Sequence, residues 1–180
     1  MKKASNTKKI VMVGTFSAIA FILQMIGSMM GLKVGGFLEI EISDLPALIV
    51  TFAYGPVAGI LVEFLKNLLH CFFTSTGFVG ELANFIVNGS FVLVIGLFYK
   101  FNKTKKGAII ALILGSIIMP LSAAAVNYFI MLPLFMPTAS SAVKLGLVAS
   151  TITPFNFFRA IVLSVITVIC YKRLSPILHK

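Results

Sequence analysis

The chain has 180 residues, 59% of them hydrophobic and 11% charged, with a mean hydropathy of +1.06. So high an apolar fraction leaves too little polar surface to face water, which excludes an ordinary soluble domain and makes this an integral membrane protein. The net charge of +10 does not point to nucleic acid, because the lysines sit in short clusters between apolar runs, where they act as topology signals.

The first apolar run, 10–30, follows Lys2, Lys3, Lys8 and Lys9. It is longer than a signal-peptide core of ~7–15 residues, so it reads as a permanent first span. Runs of ~20 apolar residues cross a ~30 Å hydrocarbon core, and 81–99, 107–134 and 154–171 also qualify. The region 44–73 is broken at Gly55-Pro56. Ser43-Asp44-Leu45-Pro46 reads as a helix start with a side-chain N-cap and a proline in the first turn. Gly55-Pro56 reads as a stop and a restart, giving spans 44–54 and 56–73.

Charge asymmetry sets the number of crossings. Basic clusters precede the first span, follow the fourth (Lys100, Lys103, Lys105, Lys106) and follow the last (Lys172, Arg173, Lys180). All three belong in the cytoplasm by the positive-inside rule, which requires an even number of crossings between neighbouring clusters. The expectation is a single all-α membrane domain of six transmembrane helices with both termini cytoplasmic. A re-entrant hairpin at 44–73 satisfies the same parity, since 44–54 extends only about 16 Å at 1.5 Å per residue. The segments 31–42, 75–80 and 136–150 then lie outside, and the glycine-rich 31–42 loop reads either as a lid over a site or as a plain connector. Cys71 and Cys170 fall near opposite faces, which argues against a disulfide.

Polar residues enter the membrane in stripes. Glu63, Lys66, Asn67 and His70 share one face of the third helix, and Glu81, Asn84 and Asn88 share one face of the fourth. Asn127 lies near the outer end of the fifth. In the sixth, Pro154 suits a first turn, and Asn156 and Arg159 are three apart on one face. A guanidinium at mid-bilayer depth costs roughly 2.5–3.5 kcal/mol on insertion scales, so it marks a place where a partner or water reaches it. A lone membrane asparagine is interhelical glue as readily as a ligand contact, but several stripes meeting in the outer half describe a cavity. Its charges, Glu63 and Glu81 against Lys66 and Arg159, cancel, which suits an uncharged ligand with many hydrogen-bonding groups. Glu63 and Lys66 also make sense as a purely structural pair. Gly14 and Ala18 in the first helix form a small-xxx-small pair, which reads as internal packing on the residues alone.

No phosphate-binding loop of the Gly-x-x-x-x-Gly-Lys-Ser/Thr kind occurs, no His/Cys/Glu set has zinc spacing, and no serine or cysteine has an evident base beside it. Neither catalysis nor a cofactor is expected. Three functions are weighed: a solute-binding transport subunit, a membrane-embedded enzyme using Glu63 and Glu81 as acid and base, and a scaffold subunit without a small ligand.

The strings Ser43-Asp44-Leu45-Pro46-Ala47-Leu48, Phe52-Ala53-Tyr54-Gly55-Pro56-Val57-Ala58-Gly59, Gly80-Glu81-Leu82-Ala83-Asn84-Phe85, Asn127-Tyr128 and Pro154-Phe155-Asn156 together resemble the substrate-binding S components of energy-coupling-factor (ECF) vitamin transporters. The likeness covers nearly the whole chain and is to the riboflavin-specific type, with another water-soluble vitamin as the alternative. It implies a six-helix subunit of a bacterial cell membrane that binds vitamin from outside and works with a transmembrane coupling subunit and two ATPases. It implies flavin contacts at Asn127, Asn156 and Arg159, and a lid around Leu38, Glu39, Ile40 and Glu41. Lys66, Glu81, Asn84 and Phe155 complete the expected binding set. Arg159 stands where the family has a lysine, which keeps the charge and changes the hydrogen-bond geometry. The resemblance also makes Gly14-x-x-x-Ala18 a variant of the family's Ala-x-x-x-Ala coupling motif.

Overall fold

A computed structural model describes residues 6–31, 33–34, 38–39, 42–74, 76 and 78–178; for 33, 34, 39 and 171–178 it describes the backbone alone. The elements are α1 (Asn6–Met30), β1 (Lys33–Val34), β2 (Leu38–Glu39), α2 (Leu45–Tyr54), α3 (Pro56–His70), α4 (Val79–Phe101), α5 (Lys105–Val126), α6 (Leu132–Phe135), α7 (Ser141–Leu147) and α8 (Thr153–Leu178). Strands β1 and β2 are an antiparallel pair of two residues each, with Val34 opposite Leu38. A π-helical turn, Asn127–Met131, joins α5 to α6, and a second, Val148–Ile152, joins α7 to α8. Counting through these turns, the described residues form six helical rods, four of them long and apolar enough to cross a membrane.

Burial follows from the sequence pattern. In α1 the buried residues are Val13, Ser17, Ala20, Gln24 and Gly27, a stripe at alternating spacings of four and three that faces α2 and α3. Helix α4 packs between α3 and α5, and α5 packs in turn against α8. The ends of α1 and α3 meet where Ser28 approaches His70, and α4 begins beside them where His70 meets Glu81. Lys8 and Lys9 therefore lie at the same end of the bundle as the α4–α5 connection, with its exposed Lys100, Lys103, Lys105 and Lys106.

Helix α2 is short because it begins inside the protein. Ser43 and Asp44 are fully buried, so the chain has already entered the interior when α2 starts, and ten residues, about 15 Å of helix, carry it to the basic end. There Gly55 turns the chain at φ 94°, a left-handed conformation that a side chain resists, and α3 returns. This tip is held by Phe52 packed edge-on to Tyr99, with ring centroids 4.8 Å apart, and by Pro56 lying against Gly96. The side-chain cap expected at Asp44 does not form. Its carboxylate turns to Lys66, Arg159 and Asn88 instead, because at this depth charged donors hold it more strongly than a neutral backbone N–H would.

Pro154 does not open a helix as expected. It lies just after the π turn Val148–Ile152, in a helical path continuous from Ser141, so the segment 136–150 is a connector only as far as Ser140, whose hydroxyl caps α7 by accepting from the Val143 amide. Pro133 stands in the same relation to the turn Asn127–Met131. Proline has no N–H and its ring crowds the carbonyl four residues back, so the preceding turn widens, and the Leu132 and Thr153 amides bond five residues back, to Asn127 and Val148.

The tip contact gives a test of packing. A methyl group on Gly96 would meet Pro56 Cβ at 2.6 Å, Pro56 Cα at 2.7 Å and Thr51 Cγ2 at 2.8 Å. Gly96→Ala is expected to destabilise the bundle by about 1–3 kcal/mol, the usual range for overpacking, read as a lower unfolding temperature in detergent. An unchanged transition would mean that α2, α3 and α4 do not meet this closely.

Candidate functional site

At the end of the bundle opposite the basic clusters lies a cavity of about 670 Å³. Helix α1 contributes Gln24, Met25, Ser28 and Met29, and β2 contributes Leu38. His70, Phe73, Thr74 and Thr76 come from the end of α3 and the following turn; Glu81, Asn84, Val87 and Asn88 come from α4. The far wall is Asn127, Met131 and Phe135 beside Phe155, Asn156 and Arg159. Polar groups thus alternate with thioethers and aromatic rings, a mixture suited to a flat ring with hydrogen-bonding edges.

The wall is organised by a buried ion cluster. Lys66 Nζ donates to Asp44 Oδ1 at 2.6 Å and to Ser43 Oγ at 3.2 Å, and lies 2.7 Å from Glu63 Oε2. The ammonium is thus held by two hydrogen bonds, to Asp44 and Ser43, and by an ion pair with Glu63. Arg159 Nη2 donates to Asp44 Oδ2 at 2.6 Å, and Asn88 Nδ2 donates to Asp44 Oδ1 at 2.9 Å and to Asn84 Oδ1 at 2.7 Å. Two carboxylates thus balance two cations at the inner end of the cavity. Gln24 and Asn88 both line the cavity, while their oxygens, Gln24 Oε1 and Asn88 Oδ1, are buried without a hydrogen-bond partner among the described residues.

Asn127 and Asn156 are held by the π turns. Asn127 opens one, and its Nδ2 donates to Ala123 O at 2.8 Å; Asn156 follows the other, and its Nδ2 donates to Ile152 O at 2.9 Å. Each amide is anchored to its own helix, and each residue lines the cavity. Nearer the mouth, His70 Nδ1 is 3.0 Å from Glu81 Oε1, and Thr76 Oγ1 donates to Glu81 Oε2 at 2.8 Å. Ser28 Oγ lies 3.4 Å from His70 Nε2, so the fold sets a base beside a serine where the sequence indicated none. That separation is long for a hydroxyl–imidazole bond and serves chiefly to tie α1 to α3.

Of the residues singled out from the sequence, Asn127, Asn156, Arg159, Leu38, Glu81, Asn84 and Phe155 line this one cavity. Lys66 does not: it is fully buried behind the wall with Glu63. Arg159 pairs with Asp44, not with the glutamates expected, and Glu63 and Glu81 lie in different clusters, so they make no acid–base pair. Glu39 is described only through its strand pairing, and Ile40 and Glu41 lie outside the described residues. Among the described residues no three His, Cys, Asp or Glu side chains gather as a metal site would need. The residues missed were Asp44, read as a cap, and Gln24, whose place in the 13, 17, 20, 24, 27 stripe could have marked it as an inward-facing amide. Gly14 and Ala18 lie on the exposed side of α1, and a methyl group on Gly14 would touch nothing within 4 Å, which rules out the internal-packing reading of that pair.

The family described as "ECF transporter, substrate-specific component" matches residues 8–171. The chain is 35% identical to the riboflavin transporter RibU of Staphylococcus aureus (strain TCH60) over 180 residues, covering 97% of this chain and 94% of that protein. It is 36% identical to the riboflavin transporter FmnP of Bacillus subtilis (strain 168) over 181 residues, covering 95% and 94%. A solved structure described as "Structure and mechanism of the S component of a bacterial ECF transporter" superposes with a TM-score of 0.83 at 34% identity, covering 98% of this chain and all of that one. With a polar cavity at one end of six helical rods and these likenesses over nearly its full length, the chain belongs to the family of substrate-specific components of ECF transporters.

Proposed function

We propose that this chain is the riboflavin-binding subunit of a bacterial vitamin importer, a membrane protein and not an enzyme, taking up the vitamin at the cavity and passing it inward with a coupling subunit and two ATPases. The observation that carries the reading is the cavity itself: it is of ligand-binding size, charge-compensated by its own residues and rich in carboxamides. Such a site favours an uncharged ring with both donors and acceptors on its edge. Gln24, Asn84, Asn88, Asn127 and Asn156 bring carboxamides to the cavity, and a flavin ring and its polyol chain offer both donors and acceptors to such groups. Arg159, held by Asp44, presents a fixed guanidinium to a ring carbonyl. The names of the curated relatives favour riboflavin over other vitamins.

In this reading the basic end of the bundle, with both termini, faces the cytoplasm and the cavity opens outward, with the β1–β2 segment as its lid. The exposed Gly14 and Ala18 face of α1 meets the coupling subunit, since small residues permit close helix approach. Alternating exposure of the cavity then depends on ATP hydrolysis elsewhere in the complex.

Titration of free riboflavin with detergent-purified protein is expected to quench flavin fluorescence to an equimolar end point. No quenching, or quenching by a different vitamin's competition only, would remove riboflavin from the reading. Asn156→Ala and Arg159→Ala are each expected to weaken binding roughly 10–100-fold, the loss for one buried polar partner, with helical content retained. Asp44→Asn is expected to lower both affinity and thermal stability, because breaking a buried ion pair costs about 3–5 kcal/mol. Wild-type affinity in that variant would show that Arg159 is held by something else. Gly14→Leu is expected to leave riboflavin affinity unchanged and to reduce uptake into cells expressing the whole transporter; normal uptake would separate α1 from coupling.

A further inference from the structure

Outside the ligand cavity there is a groove of about 650 Å³ between α5 and α8, on the outer surface of the bundle. One wall is Ile109, Ile113 and Ile117, spaced four apart on α5; the other is Phe157, Ile161, Val165, Val168 and Ile169 on α8. The floor is small and self-satisfied. Ser116 Oγ donates to Leu112 O at 2.8 Å and lies 3.1 Å from Ser164 Oγ, so the small serines leave depth between the helices while offering a visitor almost no polar contact. Such a slot accepts hydrocarbon and nothing polar.

What distinguishes this groove from an ordinary lipid-facing surface is the charge at one end. Lys105 and Lys106 lie four and three residues before Ile109, hence on the same face of α5, and both are exposed. The N-terminus of α5 adds partial positive charge of the same sign. From Ile109 to Ile117 is about 12 Å of helix and from Phe157 to Ile169 about 18 Å, against ~15 Å for half of a ~30 Å hydrocarbon core. The groove is therefore as long as one leaflet, apolar along its length and basic at its headgroup end. We infer that it holds one phospholipid with an anionic headgroup, an acyl chain lying between α5 and α8 and the phosphate at Lys105 and Lys106. On the orientation proposed above this is a lipid of the cytoplasmic leaflet, where a bound anionic lipid would bias the tilt of the subunit in the membrane.

The sequence has no tryptophan, which gives a clean reporter. Ile113→Trp and, separately, Ile169→Trp place one tryptophan on each wall, and Leu97→Trp places one on the exposed face of α4, close to Lys100. Each is reconstituted in vesicles containing phosphatidylglycerol or phosphatidylcholine brominated on the acyl chain, and riboflavin binding serves as the check of folding. The groove tryptophans are expected to show a preference for brominated phosphatidylglycerol of up to about 30-fold, the scale that two basic residues produce beside anionic lipid. Leu97→Trp is expected to show little preference, and Lys105→Gln combined with Lys106→Gln should remove the preference at the groove. Equal quenching by the two lipids at both groove positions overturns the inference. So does quenching that disappears once the ATPase-bearing complex is assembled, which would make the groove a protein interface. Vesicles carry the same lipid in both leaflets, so the result does not depend on which end faces the cytoplasm, and loss of riboflavin binding by the wild-type chain would be a separate failure.

Discussion

The Asp44 carboxylate, fully buried among Lys66, Arg159 and Asn88, is the constraint on which the site depends. It joins the start of α2 to α3, α4 and α8, four elements that the chain separates by up to 115 residues. A single charge at this depth would be prohibitively exposed to hydrocarbon, and a single ion pair would recover only part of the lost hydration. Here two acids and two cations, with a serine and an asparagine, share the load, and Lys66 is held by Asp44, Ser43 and Glu63 together. The cluster explains why α2 is short: its first residues belong to the interior, so the helix needs only to reach one face.

From that anchor the cavity follows. Arg159 is pulled toward Asp44 and so presents its remaining surface to the cavity instead of snorkelling to the water interface. On the neighbouring wall two prolines, Pro133 and Pro154, each follow a widened turn; Asn127 opens the first, and Asn156 lies four residues, about one helical turn, beyond the second. Breaks in helix regularity are thus concentrated beside the cavity, while the packing between α4 and α5 farther from it is regular and close, as where Gly115 accommodates Ile95 and Phe91. Irregular backbone in a membrane is tolerable only where protein or water surrounds it, and beside these turns the Asn127 and Asn156 side chains are tied to carbonyls of their own helices.

The outside of the bundle is differentiated too. The exposed face of α1 is small at Gly14 and Ala18, where a methyl group added at Gly14 would meet empty space, whereas the α5–α8 face is grooved and flanked by lysines. Smoothness suits sliding against another helix; a slot with a basic end suits a lipid. The two faces thus differ in chemistry, one small and smooth, the other slotted and basic at one end.

Hydropathy, the lysine clusters and the Gly55-Pro56 break were sufficient by themselves to establish a membrane protein, the number of its helical rods and the end at which the polar stripes meet, because those depend on composition and on the 3.6-residue period alone. Asn127, Asn156, Arg159, Glu81 and Asn84 were legible as candidates for the same reason: polar residues in apolar runs stand out, and helix direction sets their depth. Which acid meets which base was not legible. Asp44 looked like a helix cap because Ser-Asp-Leu-Pro is a good local cap, and only the tertiary arrangement shows that the chain enters the interior there and brings two cations within 2.6 Å. Lys66 and Glu63 left the site, Gln24 joined it, and Gly14 turned outward for one physical reason. Position along a helix follows from the sequence, but rotation about the helix axis is decided by the neighbours it packs against.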